Sequence, residues 1–133
     1  MTEIDEKTDV KILVVESVTA DLEHLRTILE ANNYLVVQAN CGADVASYLS
    51  SEPIGLVFCS VALPDMEGTQ VLRQIKQAEP AVQVVMLSDQ QDFHIVRQIF
   101  REKAQDFLLK PLSPEDIVTA AEQGLTAYFT EIH

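Results

Sequence analysis

Apolar positions recur along this chain in two alternating rhythms. The run Val10-Lys11-Ile12-Leu13-Val14-Val15 is β-branched and almost wholly apolar, which is how a strand buried on both faces reads. Leu22, Leu25, Ile28 and Leu29 then return at helical spacing until Asn32-Asn33 ends the period, and a second β-rich run follows from Tyr34 to Ala39. The pattern predicts a helix from about Gly42 to Leu49, a strand over Ile54 to Cys59, and a turn at Leu63-Pro64-Asp65-Met66-Glu67-Gly68. A helix runs on to Glu79-Pro80, followed by a strand over Val82 to Leu87, a helix over Phe93 to Lys103 and a strand over Asp106 to Leu109. Ser113-Pro114-Glu115-Asp116 opens the last helix with a capping serine, a proline at the first position and early acids. Five βα units predict an α/β domain with one parallel sheet, covered on both faces and joined by right-handed crossovers. No linker or low-complexity tract divides residues 1–133, so a single domain is expected, with 1–9 as a disordered tail.

In an open sheet of this kind, ligands bind outside the carboxyl ends of the strands. Those ends carry Glu16-Ser17, Ser60, Ser88-Asp89 and Lys110.

Charge and composition narrow the field. Nine basic residues against twenty-one acidic ones give a net charge of -12, which repels nucleic-acid backbones and anionic lipid surfaces. No local basic run offsets it, and no Lys or Arg follows Lys110, so neither nucleic acid nor membrane is an expected partner. No apolar stretch approaches the roughly 20 residues that span a bilayer, and the acidic N-terminus is unlike a signal peptide, so the expected compartment is the cytoplasm. Cys41 and Cys59 are too few for a disulfide framework, and no Cys/His cluster suggests a metal or cofactor. His24, His94 and His133 read as surface residues.

Three segments, in this order and on this alternation, resemble the response-regulator receiver domains of two-component systems: Lys11-Ile12-Leu13-Val14-Val15, Leu63-Pro64-Asp65-Met66-Glu67-Gly68 and Asp106-Phe107-Leu108-Leu109-Lys110-Pro111. The resemblance covers residues 10 to about 128. It implies a flavodoxin-like (βα)5 fold with strand order 2-1-3-4-5. It also implies phosphoryl transfer from a histidine kinase to an aspartate at the end of the third strand, assisted by Mg²⁺ on that aspartate and an acidic pair after the first. By the same resemblance Lys110 matches the lysine that contacts the phosphoryl group, Ser88 the hydroxyl residue that bonds it, and Phe107 the switch aromatic.

The sequence departs from that pattern where the chemistry is done. Counting back from Leu63-Pro64, the acceptor aspartate falls on Ser60, and Ser17 replaces the second acid beside Glu16. One carboxylate and two hydroxyls make a poor Mg²⁺ site, and a serine without a positioned base is a poor nucleophile near neutral pH. Asp89 adds a negative charge that would oppose a phosphate. The expected function is therefore a pseudo-receiver that signals by protein–protein interaction and is not an enzyme. Two alternatives stay open: a true receiver using a displaced acceptor, Asp65, or a small-molecule sensor in the degenerate crevice.

Simpler roles exist for the same residues. Ser60 can satisfy backbone groups at a strand end, Ser17 can cap the first helix, and Lys110 is expected to pair with Glu16. In the fourth helix, Val96, Ile99 and Phe100 are assigned to the core and Phe93 and Ile95 to a partly exposed stripe. The face made by helix four, strand five and helix five is the usual partner surface of receivers. Here it would receive a signalling protein or effector domain through Ile95, Arg97, Arg101 and Asp106. The acids Glu115, Asp116 and Glu122, with no base on helix five, argue against a charged symmetric dimer on that face. Leu125, Tyr128 and Phe129 would suit a last helix that runs on into an effector domain.

Overall fold

The computed structural model describes residues 9–133, so all but Asp9 of the expected N-terminal tail lies outside the described residues. Its elements are β1 (Lys11–Val15), α1 (Thr19–Ala31), β2 (Leu35–Ala39), a 3₁₀ turn (Gly42–Asp44), α2 (Val45–Ser51), β3 (Ile54–Ser60), α3 (Gly68–Ala78), β4 (Gln83–Ser88), α4 (Phe93–Arg101), β5 (Asp106–Leu109) and α5 (Pro114–Ile132). All strand pairs are parallel, in the order β2-β1-β3-β4-β5.

The near-continuous apolar strands follow from that placement. β3 is central and buried at every position, as is β4, because helices cover both faces. One core layer packs Val71, Leu72 and Ile75 of α3 and Ile99 of α4 on Leu13, Val57 and Met86. The other packs Leu25 and Leu29 of α1 and Ile117, Ala121 and Leu125 of α5 on Ile12, Phe58 and Val85. Gly124 permits the close approach of α5, since a Cβ there would stand 2.6 Å from the Leu56 side chain.

The last helix starts as the sequence implies, and α4 has a side-chain cap not singled out by sequence. The Ser113 hydroxyl accepts from Asp116 N at 3.1 Å, with Pro114 in the first turn, and Asp92 accepts from His94 N at 2.8 Å at the start of α4.

Three expectations are corrected. Ser17 does not cap α1: its side chain is exposed, Val18 holds the cap position, and the Glu16 carboxylate accepts from Val18 N at 3.2 Å. On α4, Phe100 is not core but 48 % exposed, while Ile95 turns in and packs against the α3-side layer. The nine-residue helix can bury only one narrow stripe, and Ile95 and Ile99, four apart, occupy it. His24 is half-buried, and its Nε2 lies 2.9 Å from the Leu112 carbonyl, tying α1 to the start of α5.

Candidate functional site

The carboxyl ends of β1, β3, β4 and β5 bring the residues singled out by sequence into one crevice. Glu16, Ser60, Ser88, Asp89 and Lys110 line a cavity of about 80 Å³, closed on its rim by Val18 and Ala62. Strand pairing fixes their positions: Val15 and Cys59 are register partners, as are Ser60 and Leu87 and, next along, Ser88 and Leu109. Below the crevice, Gly68 lets α3 close onto β3. A Cβ at that position would stand 2.1 Å from the Ser60 carbonyl oxygen, and Gly68 N donates to Val61 O at 2.7 Å.

Lys110 dominates the electrostatics. Its ammonium donates to Glu16 Oε1 at 2.6 Å and to Asp21 Oδ2 at 3.0 Å. Glu16 is fully buried, the Lys110 side chain is 14 % exposed and that of Asp21 37 %. Burial alone would lower the Lys110 pKa, but the hydrogen bonds and charges of Glu16 and Asp21 outweigh it and hold the ammonium's pKa above its ordinary value. Asp21 was not among the residues singled out by sequence. Its signal was an acid in the first turn of the helix that follows Glu16.

The remaining site residues divide clearly. Ser60 is 2 % exposed at the end of β3, and Ser88, at 8 %, turns its hydroxyl to Gln90, donating to its carbonyl at 3.1 Å and accepting from its N–H at 3.0 Å. Asp89 is exposed at the mouth. Ser17 lies outside the cavity lining. Beneath Ser60, the Cys59 thiol is pushed far up by burial and, secondarily, by the Glu16 charge, so it stays protonated. Asp65 stands apart on the β3–α3 loop, where its two oxygens accept from Gly42 N and Ala43 N, each at 2.9 Å. Those bonds, the one from Gly42 first, hold its carboxyl below its ordinary pKa.

The metal that the resemblance implies does not fit this donor set. A hard dication takes several oxygen ligands, uncommitted carboxylates first among them. Here the buried carboxylate and its acidic neighbour are both committed to Lys110, and Ser60 and Ser17 offer only hydroxyls. Among the described residues, no three His, Cys, Asp or Glu side chains gather where they could hold a metal ion.

On the adjoining surface, Phe93 (74 % exposed), Phe100 (48 %) and Leu109 (44 %) leave an apolar stripe on α4 and β5, with exposed Arg97 one turn from each phenylalanine. Phe107 is half-buried against the α3-side core, and the Asp106 carboxylate accepts from Phe107 N at 2.8 Å. On the other side of the sheet, the Tyr34 phenol pKa is raised first by burial and then by the Glu122 charge. No helix among the described residues is long and apolar enough to cross a membrane.

Comparison with known proteins agrees with this fold. The chain is 26% identical over 117 residues to the transcriptional regulatory protein ZraR of Escherichia coli, covering 88% of this chain but only 26% of that protein. It is 27% identical over 109 residues to the two-component response regulator ORR5 of Oryza sativa, covering 80% of this chain and 81% of that one. Among solved structures, a CheY-like receiver domain from Methanospirillum hungatei superposes with a TM-score of 0.85 at 26% identity, over 91% of this chain and 97% of the other. The signal receiver domain of an HD domain-containing protein from Pseudomonas fluorescens reaches 0.90 at 23% identity, over 98% and 96% of the two chains, a likeness of fold. The response regulator receiver domain family matches residues 12–122, and this chain belongs to it.

Proposed function

We propose that this receiver works without aspartyl phosphorylation and passes its signal by binding another protein through the α4–β5–α5 face. The observation that carries the proposal is the Lys110 triad. Where the family's lysine meets a phosphoryl group, this lysine is held by Glu16 and Asp21, and the residue facing it from β3 is Ser60. The resting pocket has no acceptor carboxylate on β3 and its cation is already matched, so neither group transfer nor a charge change is left to drive a switch. Asp65 is a weak substitute acceptor because its carboxylate is bonded on both oxygens and lies outside the crevice lining. A cavity of about 80 Å³ also leaves little room there for a small-molecule signal. The exposed Phe93, Phe100 and Leu109 supply the apolar contact area that a partner would cover.

Incubation with Mg²⁺ and acetyl phosphate, followed by intact-mass measurement, tests the reading. The expected result is an unchanged mass in the native chain and in Asp65→Asn. An adduct of one phosphoryl group on the native chain, lost in Asp65→Asn, would instead establish the displaced acceptor.

A further inference from the structure

The net charge of -12 hides a local reversal. At the end of the sheet opposite Lys110, Arg73 and Lys76 of α3, Arg101 of α4 and Lys103 just beyond it line one cavity of about 560 Å³. These are four of the chain's nine lysines and arginines. The sequence shows no basic run because the four come from two separate helices, and only the α3–β4–α4 crossover gathers them.

Their commitments differ. Arg73 is paired with Glu102 at 2.8 Å, and Lys76 Nζ donates to the Pro80 and Val82 carbonyls at 2.7 and 2.9 Å. Arg101 and Lys103 make no ion pair and no side-chain hydrogen bond among the described residues. With Arg73 and Glu102 cancelling, Lys76, Arg101 and Lys103 stand against Glu131 alone on the cavity wall. Burial first, and then the charge of Lys103, lowers the Lys76 pKa, although Glu131 acts against them.

The backbone carries a second sign. Both α1 and α4 end in the same motif, in which one residue adopts φ near +70° and its own N–H and that of the residue after it return to the helix carbonyls. At α1, Asn33 N donates to Glu30 O at 3.0 Å and Tyr34 N to Leu29 O at 3.1 Å. At α4, Lys103 N donates to Phe100 O at 3.0 Å and Ala104 N to Ile99 O at 3.1 Å. α1 uses Asn33 at the left-handed position, φ 70°, a residue type that tolerates it. α4 places Lys103 there, φ 71°, at a cost in strain that asparagine or glycine would avoid. The terminal carbonyls that would repel an anion are satisfied in either case, and what Lys103 adds is an ammonium on the cavity wall.

We infer that this cavity binds a small phosphorylated molecule, its phosphate held by Arg101 and Lys103. A guanidinium fork and a mobile ammonium are the pair that suits a tetrahedral dianion. A volume of about 560 Å³ is the size of a small-ligand site. The site is independent of the crevice at the other end of the sheet.

Calorimetric titration of the full chain with ribose 5-phosphate and with pyrophosphate, at low salt, tests this. Saturable binding to one site is expected, with a dissociation constant below about 1 mM, weakened at least about tenfold in Arg101→Gln/Lys103→Asn. Arg26→Gln, which removes a charge elsewhere, should leave the affinity unchanged. Asparagine at 103 keeps the left-handed turn, so the double variant should fold; if its melting point falls, Arg101→Gln alone carries the comparison. Absence of heat with both phosphates, or undiminished binding by the double variant, overturns the inference. So does equal affinity for citrate, or preference for polyglutamate, which would assign the cavity to general charge attraction or to an acidic protein.

Discussion

The two ends of the sheet treat positive charge in opposite ways. At the carboxyl ends, one lysine sits in a cavity of about 80 Å³ with carboxylate oxygens at 2.6 and 3.0 Å. At the amino ends, a cavity of about 560 Å³ is lined by Arg101 and Lys103, neither of which makes an ion pair among the described residues. The difference teaches where stability and binding each reside. A buried charge must be matched from within, because leaving it alone costs several kcal/mol. A charge at the mouth of an open cavity is matched by water and remains available to a ligand.

Breaking the closed end should give the largest effect. Lys110→Met leaves the fully buried Glu16 without its cation and should cost about 3 kcal/mol, read as a fall in the urea midpoint. A cost below about 1 kcal/mol would show that solvent reaches Glu16. The pH dependence has a definite sign. The folded-state pKa of Lys110 is raised, so its contribution is intact below the unfolded value of about 10.4 and is lost as pH climbs through the higher folded value. Neutral and mildly alkaline buffers should therefore leave the Lys110 contribution unaltered.

Dividing the triad sharpens the comparison. Glu16→Gln should cost about 1 to 2 kcal/mol, since Asp21 remains on the ammonium, while Asp21→Asn, more than a third exposed, should cost less than about 0.5 kcal/mol. The reverse order would place the stabilising partner on α1. The smallest effect belongs to the open end, where Lys103→Asn should raise stability by about 0.5 kcal/mol by relieving the strained φ. A loss on thermal unfolding would mean that Lys103 supports α4 through its terminal dipole.

Much of this was legible in the sequence because parallel strands buried on both faces announce themselves as apolar runs, as β1, β3 and β4 do, and the more exposed edge strands β2 and β5 are still mostly apolar. The Glu16–Lys110 pair was equally legible, since Glu16 and Lys110 both follow the carboxyl ends of strands in one sheet and a partly buried ammonium needs a partner. Asp21 was missed because its relevance depends on how far α1 leans over the crevice, a tertiary angle that spacing does not encode. Ile95 and Phe100 were exchanged because the surplus of apolar residues on α4 leaves the phase of the helix to packing. The basic cavity was missed for a related reason: charge counted along a chain says nothing of what a crossover brings together.

The Glu16–Lys110 contact joins positions 94 residues apart, across four of the five strands' worth of chain. Closing so long a loop is slow, and a contact of that span forms after the local βα units have condensed. Its energy is then largely absent from the folding transition state, and Lys110→Met would leave the refolding rate nearly unchanged while accelerating unfolding. The triad thus acts as a clasp on lifetime, setting how long the assembled domain persists before it opens.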